Sequence, residues 1–138
     1  MSEFVLDCSA TLPWIFASDA TAKTEALLDD MVKGRKAWVP ALWHLELANV
    51  LLGAQRRGKC DKAGAEKFMA TLKTFEIEVD DETMSVAWTR TLALGETFGL
   101  TAYDAAYLEL SLRKGLPLAS LDAPLRDACA KAGGNLLL

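Results

Sequence analysis

At 138 residues and 51% hydrophobic side chains, the chain can bury one sizeable core but is too short for two full domains, so a single domain over residues 1–138 is expected. A formal net charge of -4 argues against a broad basic surface, leaving any nucleic-acid contact to be local or mediated by a metal ion. Charged residues, 25% of the total, are spread along the chain, and no stretch has the composition of a disordered tail.

In chain order, Glu3 to Asp7 is a short apolar run ending in Asp-Cys-Ser, the pattern of a buried strand stopping at a polar turn. Residues 10 to 33 carry two helical patterns, the second from Lys23 to Lys33 with Ala26, Leu27, Met31 and Val32 on one side and Gly34 as its stop. Lys36 to Pro40 reads as a second strand. Pro40 then opens a helix from Ala41 to about Arg57 that is apolar around most of its circumference, and such a helix is expected to be largely buried. Asp61 caps the next helix, residues 62 to 75, and Ile77 and Val79 alternate like an edge strand. A helix over 82 to 98 would turn Met84, Ala87, Trp88, Thr91, Leu92 and Phe98 to one side and stop at Gly99. Thr101 to Asp104 opens a helix to Lys114, Pro117 to Asp122 is a fourth strand, 124 to 132 a last helix, and Leu136 to Leu138 a final short strand.

Strands this short and apolar, alternating with helices, predict a parallel sheet of four to five strands covered on both faces: an α/β class, three-layer α/β/α sandwich. No apolar stretch is long enough to cross a bilayer; the longest, Ala37 to Leu52, contains His44 and Glu46. The first residues lack the basic start and apolar run of a signal peptide, so a cytoplasmic protein is expected. Cys8, Cys60 and Cys129 are odd in number and form no CxxC pair, which predicts reduced thiols and no thiolate zinc site.

Four acids need explaining. In open parallel sheets ligands bind beyond the carboxyl ends of the strands, and Asp7 and Asp122 stand at the ends of the first and fourth strands. Glu46 and Asp104 lie in the opening turns of helices whose N-termini can face the same edge. The helical neighbours of Glu46 are Leu42, Trp43, Asn49 and Val50; those of Asp104 are Leu100, Thr101, Tyr107 and Leu108. None is basic, so neither acid has a local salt bridge. Clustered carboxylates attract hard cations, and oxygen-only ligands favour Mg²⁺ or Mn²⁺, which can activate water in phosphodiester cleavage. Each acid also has a plainer explanation: Asp7 with Ser9 as a helix cap, Thr101 with Asp104 as a capping box, Asp122 as the cap before Ala123-Pro124, and Glu46 as a solvated helix position.

These residues together resemble a PIN domain, most closely a VapC-type toxin. The resemblance runs through Val5-Leu6-Asp7-Cys8-Ser9, Val39-Pro40 with Leu42-Trp43, Glu46 with Asn49-Val50-Leu51, Leu100 to Leu108, and Leu118 to Asp122. It implies an endoribonuclease dependent on one or two Mg²⁺ or Mn²⁺ ions, with Asp7 and Asp104 as direct ligands, Glu46 as ligand or water-positioning base, and Asp122 as an outer or second-metal ligand. It also implies polar support from Ser9, Asn49 and Thr101, an RNA substrate, a homodimer, and silencing by a VapB-type antitoxin that runs along the acidic groove. Where the family often has polar residues after the last acid, this chain has Ala123-Pro124.

His44, the only histidine, projects to a different side of its helix from Glu46 and reads as structural. Arg56, Arg57 and Lys59, like Arg113-Lys114, sit at helix ends, where cations offset the terminal carbonyls; Arg56 and Arg57 are also candidates to hold RNA phosphates. The four tryptophans, Trp14, Trp38, Trp43 and Trp88, read as core or dimer contacts. Two other functions fit part of the pattern. One is a PIN scaffold that binds without cutting. The other is an aspartyl-phosphate phosphotransfer or phosphatase domain, which would want a second Asp where Ser9 stands and a Lys where Leu121-Asp122 stand.

Overall fold

A computed structural model describes residues 1–138. The strands are β1 (Phe4–Leu6), β2 (Ala37–Val39), β3 (Ile77–Val79) and β4 (Leu118–Ala119). All pair in parallel in the order β3-β2-β1-β4, with Val5 opposite Trp38 on one side and Leu118 on the other. β1 is buried throughout because it is the apolar centre of this sheet, flanked by strands and covered by helices. Leu136 adds a single parallel bridge to Leu118, in place of the expected last strand.

The principal helices are α1 (Cys8–Thr11), α2 (Ala22–Val32), α3 (Trp43–Arg56), α4 (Lys62–Leu72), α5 (Thr83–Val86), α6 (Leu92–Phe98), α7 (Ala102–Lys114) and α8 (Ala123–Lys131). One continuous cluster of 23 buried residues joins the sheet to α2, α3, α4, α7 and α8. Asp61 accepts from Gly64 N and caps α4 as expected, and Gly99, at φ +67°, ends α6 in the left-handed conformation. The three cysteines are free, with Cys8 and Cys129 buried, and no helix is long and apolar enough to cross a membrane.

Two packing expectations are corrected. The expected 82–98 helix is interrupted by a π turn over Ala87–Thr91, and only part of its expected inner row faces inward: Thr91 is buried and Phe98 packs against the core, whereas Met84 is 80% exposed, Trp88 91% and Leu92 51%. Met84 and Leu92 each stand one position past a buried residue, Thr83 and Thr91, about 100° round the helix, and counting by spacing alone merged the two rows. α3 is likewise less buried than its apolar circumference suggested: Trp43, Leu47, Leu51 and Ala54 face the core, whereas Leu45, Ala48, Asn49 and Leu52 face out.

Candidate functional site

With strand order 3-2-1-4, the chain proceeds outward from β1 in both directions, so the crevice of this sheet opens between the carboxyl ends of β1 and β4. Asp7 follows β1 there and Asp122 follows β4. Backbone and side chains stitch the two strand ends together. Asp7 N donates to Ala119 O at 3.0 Å, while the hydroxyls of Ser9 and Ser120 donate to Asp7 Oδ2 at 2.6 and 2.7 Å. The same hydroxyls accept from Leu121 N and Asp122 N. Asp7, only 5% exposed, therefore has one oxygen fixed by two neutral donors and Oδ1 left without a side-chain donor.

The plainer explanations separate once the hydrogen bonds are known. Asp122 Oδ2 accepts from Leu125 N and caps α8, so its capping role is real and leaves its other oxygen uncommitted. Asp7 makes no cap bond at the start of α1. Thr101 caps α7 by accepting from Asp104 N at 3.2 Å, but the Asp104 carboxylate makes no return bond, so the capping box is half built. Glu46, in the first turn of α3, is half-buried and accepts a hydrogen bond from the Tyr107 hydroxyl of α7.

None of the four acids forms a salt bridge. Burial pushes the Asp7 carboxyl above its usual range against the pull of the two serines, with the charge of Asp122 adding to the rise. Glu46 is raised by burial and by Asp7 and Asp104, partly offset by Tyr107. Asp104 is raised by burial, then by Asp122 and Asp7. These mutual influences bring all four to one electrostatic site. Cys8, beneath them, is pushed up to about 12 by burial and then by Glu46 and Asp7, which makes it inert as a nucleophile at neutral pH.

The four carboxylates are spaced more openly than the sequence suggested: no three of them bring an oxygen each within 4.8 Å of one another. Asp80, Asp81 and Glu82 do. There, however, Arg113 already sits, donating to both Asp80 oxygens at 3.1 and 2.6 Å, to Glu82 at 2.9 Å, and to both Glu109 oxygens at 3.1 and 2.9 Å. A divalent ion arriving at that triplet would meet a guanidinium. The open set at the β1–β4 crevice suits Mg²⁺ or Mn²⁺ better, since Mg²⁺ keeps several waters and takes only one or two carboxylates directly. Its donors are all oxygen, none is ion-paired within the chain, and they include the Oδ1 of Asp7, which has no side-chain donor; Arg126 nearby donates to Ser120 O instead.

The other candidate residues make no hydrogen bond or ion pair to these four acids. Asn49, one turn after Glu46 on α3, is exposed and makes no side-chain hydrogen bond. Arg56 and Arg57 end α3, ten and eleven positions beyond Glu46, which at the helical rise is about 15 Å away. Arg113 and Lys114 serve tertiary contacts, not the helix end: Arg113 holds Asp80 and Glu109, and Lys114 stacks 3.8 Å from the Trp38 ring centroid. Tyr107 and Ser120 were not singled out from sequence. Their signal was nonetheless present, one turn after Asp104 and two residues before Asp122, where a hydroxyl can reach a neighbouring carboxylate.

A PIN domain model matches residues 4–131. The chain belongs to the PIN domain family. No curated protein sequence matches it. Among solved structures, PAE2754 from Pyrobaculum aerophilum superposes with a TM-score of 0.69 at 24% identity, covering 97% of this chain and 87% of that one. VapC20 of Mycobacterium tuberculosis, described as a sarcin-ricin loop cleaving toxin, gives 0.64 at 19% identity over 99% and 98% of the two chains. A toxin–antitoxin complex from Klebsiella pneumoniae gives 0.56 at 16% identity over 86% of each. At these identities the likeness establishes that this PIN chain shares their fold.

Proposed function

We propose that this PIN protein is a metal-dependent endoribonuclease, the toxin of a type II toxin–antitoxin pair, hydrolysing phosphodiester bonds in single-stranded or looped RNA. The observation that carries the proposal is the set of four acids at the β1–β4 crevice, of which Asp7, Glu46 and Asp104 are raised by burial and by neighbouring acids, and none of which is ion-paired within the chain. One or two Mg²⁺ or Mn²⁺ ions, held by Asp7 and Asp104 with Glu46 and Asp122 around them, would supply an activated water and offset charge at the leaving oxygen.

The chain's own groups do the positioning. Ser9 and Ser120 lock Asp7 by its Oδ2, so its free oxygen has a fixed direction. Tyr107 orients Glu46, whose raised carboxyl suits it to take a proton from the attacking water. Thr101 fixes the first turn of α7 and with it the backbone of Asp104. The water oxygen bonds to phosphorus, one phosphorus–oxygen ester bond breaks, and a proton ends on the departing oxygen. Arg56 and Arg57 are far enough along α3 to meet phosphates flanking the cut.

The fold of the VapC20 toxin and of the Klebsiella toxin–antitoxin complex supports a VapB-type antitoxin as partner. A homodimer is supported by the outward row Met84, Trp88 and Leu92, a contiguous apolar stripe of the kind that marks an interface. Such an enzyme would work in the cytoplasm. The test is incubation of purified protein with a panel of structured and unstructured RNAs in millimolar Mg²⁺ or Mn²⁺. Internal cleavage that stops with EDTA and falls at least about 10³-fold in Asp104→Asn supports the proposal; RNA binding without cleavage returns the scaffold reading, and EDTA-resistant cleavage sinks it.

A further inference from the structure

At the other end of the sheet from β4, the edge strand β3 is open. Ala37 N bonds to Glu76 O and Asp80 N to Val39 O, so in this parallel ladder residues 76, 78 and 80 turn their backbone groups toward β2. Ile77 and Val79 consequently turn theirs away from the sheet; Ile77 N donates to Phe75 O at 3.1 Å, which leaves Ile77 O and both backbone groups of Val79 facing outward, and Val79 is 42% exposed. Beside this edge lies a cavity of about 240 Å³, walled mainly by apolar side chains of α3 and α4 and closed at the sheet by Phe75 and Ile77. Trp43, 2% exposed, lines it, and the Trp43 indole N–H is the one buried side-chain polar atom in the chain with no hydrogen-bond partner.

Charge selects what can arrive. Residues 76 to 82 hold Glu76, Glu78, Asp80, Asp81 and Glu82, with Glu109 behind them, against Lys36, Lys73 and Arg113. A second copy pairing edge to edge would set these acids against their own kind, which is unfavourable. We infer that the β3 edge is a docking site for a basic, extended segment of a partner protein, which adds as a fifth strand beside Ile77 and Val79 and inserts one apolar side chain into the Trp43 cavity. Main-chain bonds would supply the affinity, and the alternation of lysine or arginine with an apolar residue would supply the selection. The inference is independent of the nuclease proposal, because the β1–β4 crevice lies across β2 and β1.

The probe is the acetylated, amidated heptapeptide Lys-Val-Lys-Leu-Lys-Val-Lys, titrated into ¹⁵N-labelled full-length protein in EDTA. The Trp43 indole signal is assigned through Trp43→Phe. Saturable shifts of both the Val79 amide and the Trp43 indole are expected, with binding at least tenfold weaker for the same peptide N-methylated at alternate residues and for an acidic peptide with Glu in place of Lys. Val79→Pro removes only an outward N–H, as edge strands tolerate, and should weaken binding by a similar factor while leaving the remaining spectrum in place. No saturable shift at these two positions, equal response to all three peptides, or shifts confined to the Asp7–Asp122 crevice would overturn the inference.

Discussion

Replacing Asp7 by Asn should make the protein more stable while removing its activity. The Asp7 carboxyl is nearly inaccessible, holds no cation and is raised in the folded state by burial. A group whose folded value lies above its unfolded value contributes stability that is fully present below the unfolded value and lost as pH rises through the folded one. At pH 8 the folded wild type therefore carries an ionised, buried carboxylate that Asn replaces with a neutral amide whose oxygen still accepts from Ser9 and Ser120. The change also removes a repulsive neighbour from Glu46 and Asp104. Deleting a poorly compensated buried polar charge is worth about 1–3 kcal/mol, with two hydroxyl donors keeping it toward the lower end. For a chain of this size that is a rise in Tm of roughly 4–12 °C. Urea and thermal melts in EDTA at pH 5 and pH 8 would measure it, and the gap between variant and wild type should widen with pH. A variant less stable than wild type at pH 8, or a gap that does not change with pH, would refute the reasoning.

Arg113→Ala should cost about 3–5 kcal/mol, because it strands Asp80 and Glu109, which are almost fully buried, whereas the exposed Glu82 adds little. Burial pushes Asp80 up but Arg113 outweighs it and holds the carboxyl low, so this stabilisation is present above the unfolded Asp value and lost in acid; urea melts should show the largest deficit near neutral pH. Trp88→Ser removes the most exposed apolar side chain of the α5–α6 row, and light scattering should find the proposed homodimer dissociating at least tenfold more readily than that of the wild type, with the monomer's melting unchanged. Tyr107→Phe deletes the hydroxyl that lowers Glu46, so the acidic limb of the kcat/KM profile for RNA cleavage should move to higher pH, with kcat down about tenfold or more.

Sequence patterning made the sheet legible because β1, β2 and β4 are short apolar runs closed by polar turns and β3 alternates as an edge strand does, and the caps at Asp61, Thr101 and Asp122 are local events that a few residues decide. The acids stood out for a related reason: a carboxylate in an apolar helix with no basic neighbour at i±3 or i±4 must find its environment elsewhere. What local spacing could not supply was the row's true side: the polar Thr83 and Thr91 are the buried positions, and the apolar Met84, Trp88 and Leu92 stand one position further round the helix. Nor could it weigh Arg113 correctly. Its position at a helix end resembles an ordinary terminal cation, and its real partner, Asp80, is 33 residues away, although Glu109 one turn back in a buried helix was a local hint. The openness of the four-acid site was also invisible, because sequence locates carboxylates on an edge without setting their separation.

The proposed nuclease activity turns on whether the β1–β4 crevice takes a divalent cation. Calorimetric titration of Mn²⁺ into metal-free protein measures this without any RNA. Saturable binding that disappears in both Asp7→Asn and Asp104→Asn, and survives Asp81→Asn at the rival acidic triplet, is the predicted result. Binding that persists in the first two variants and is lost in the third, or no binding at all by the wild type, would contradict it.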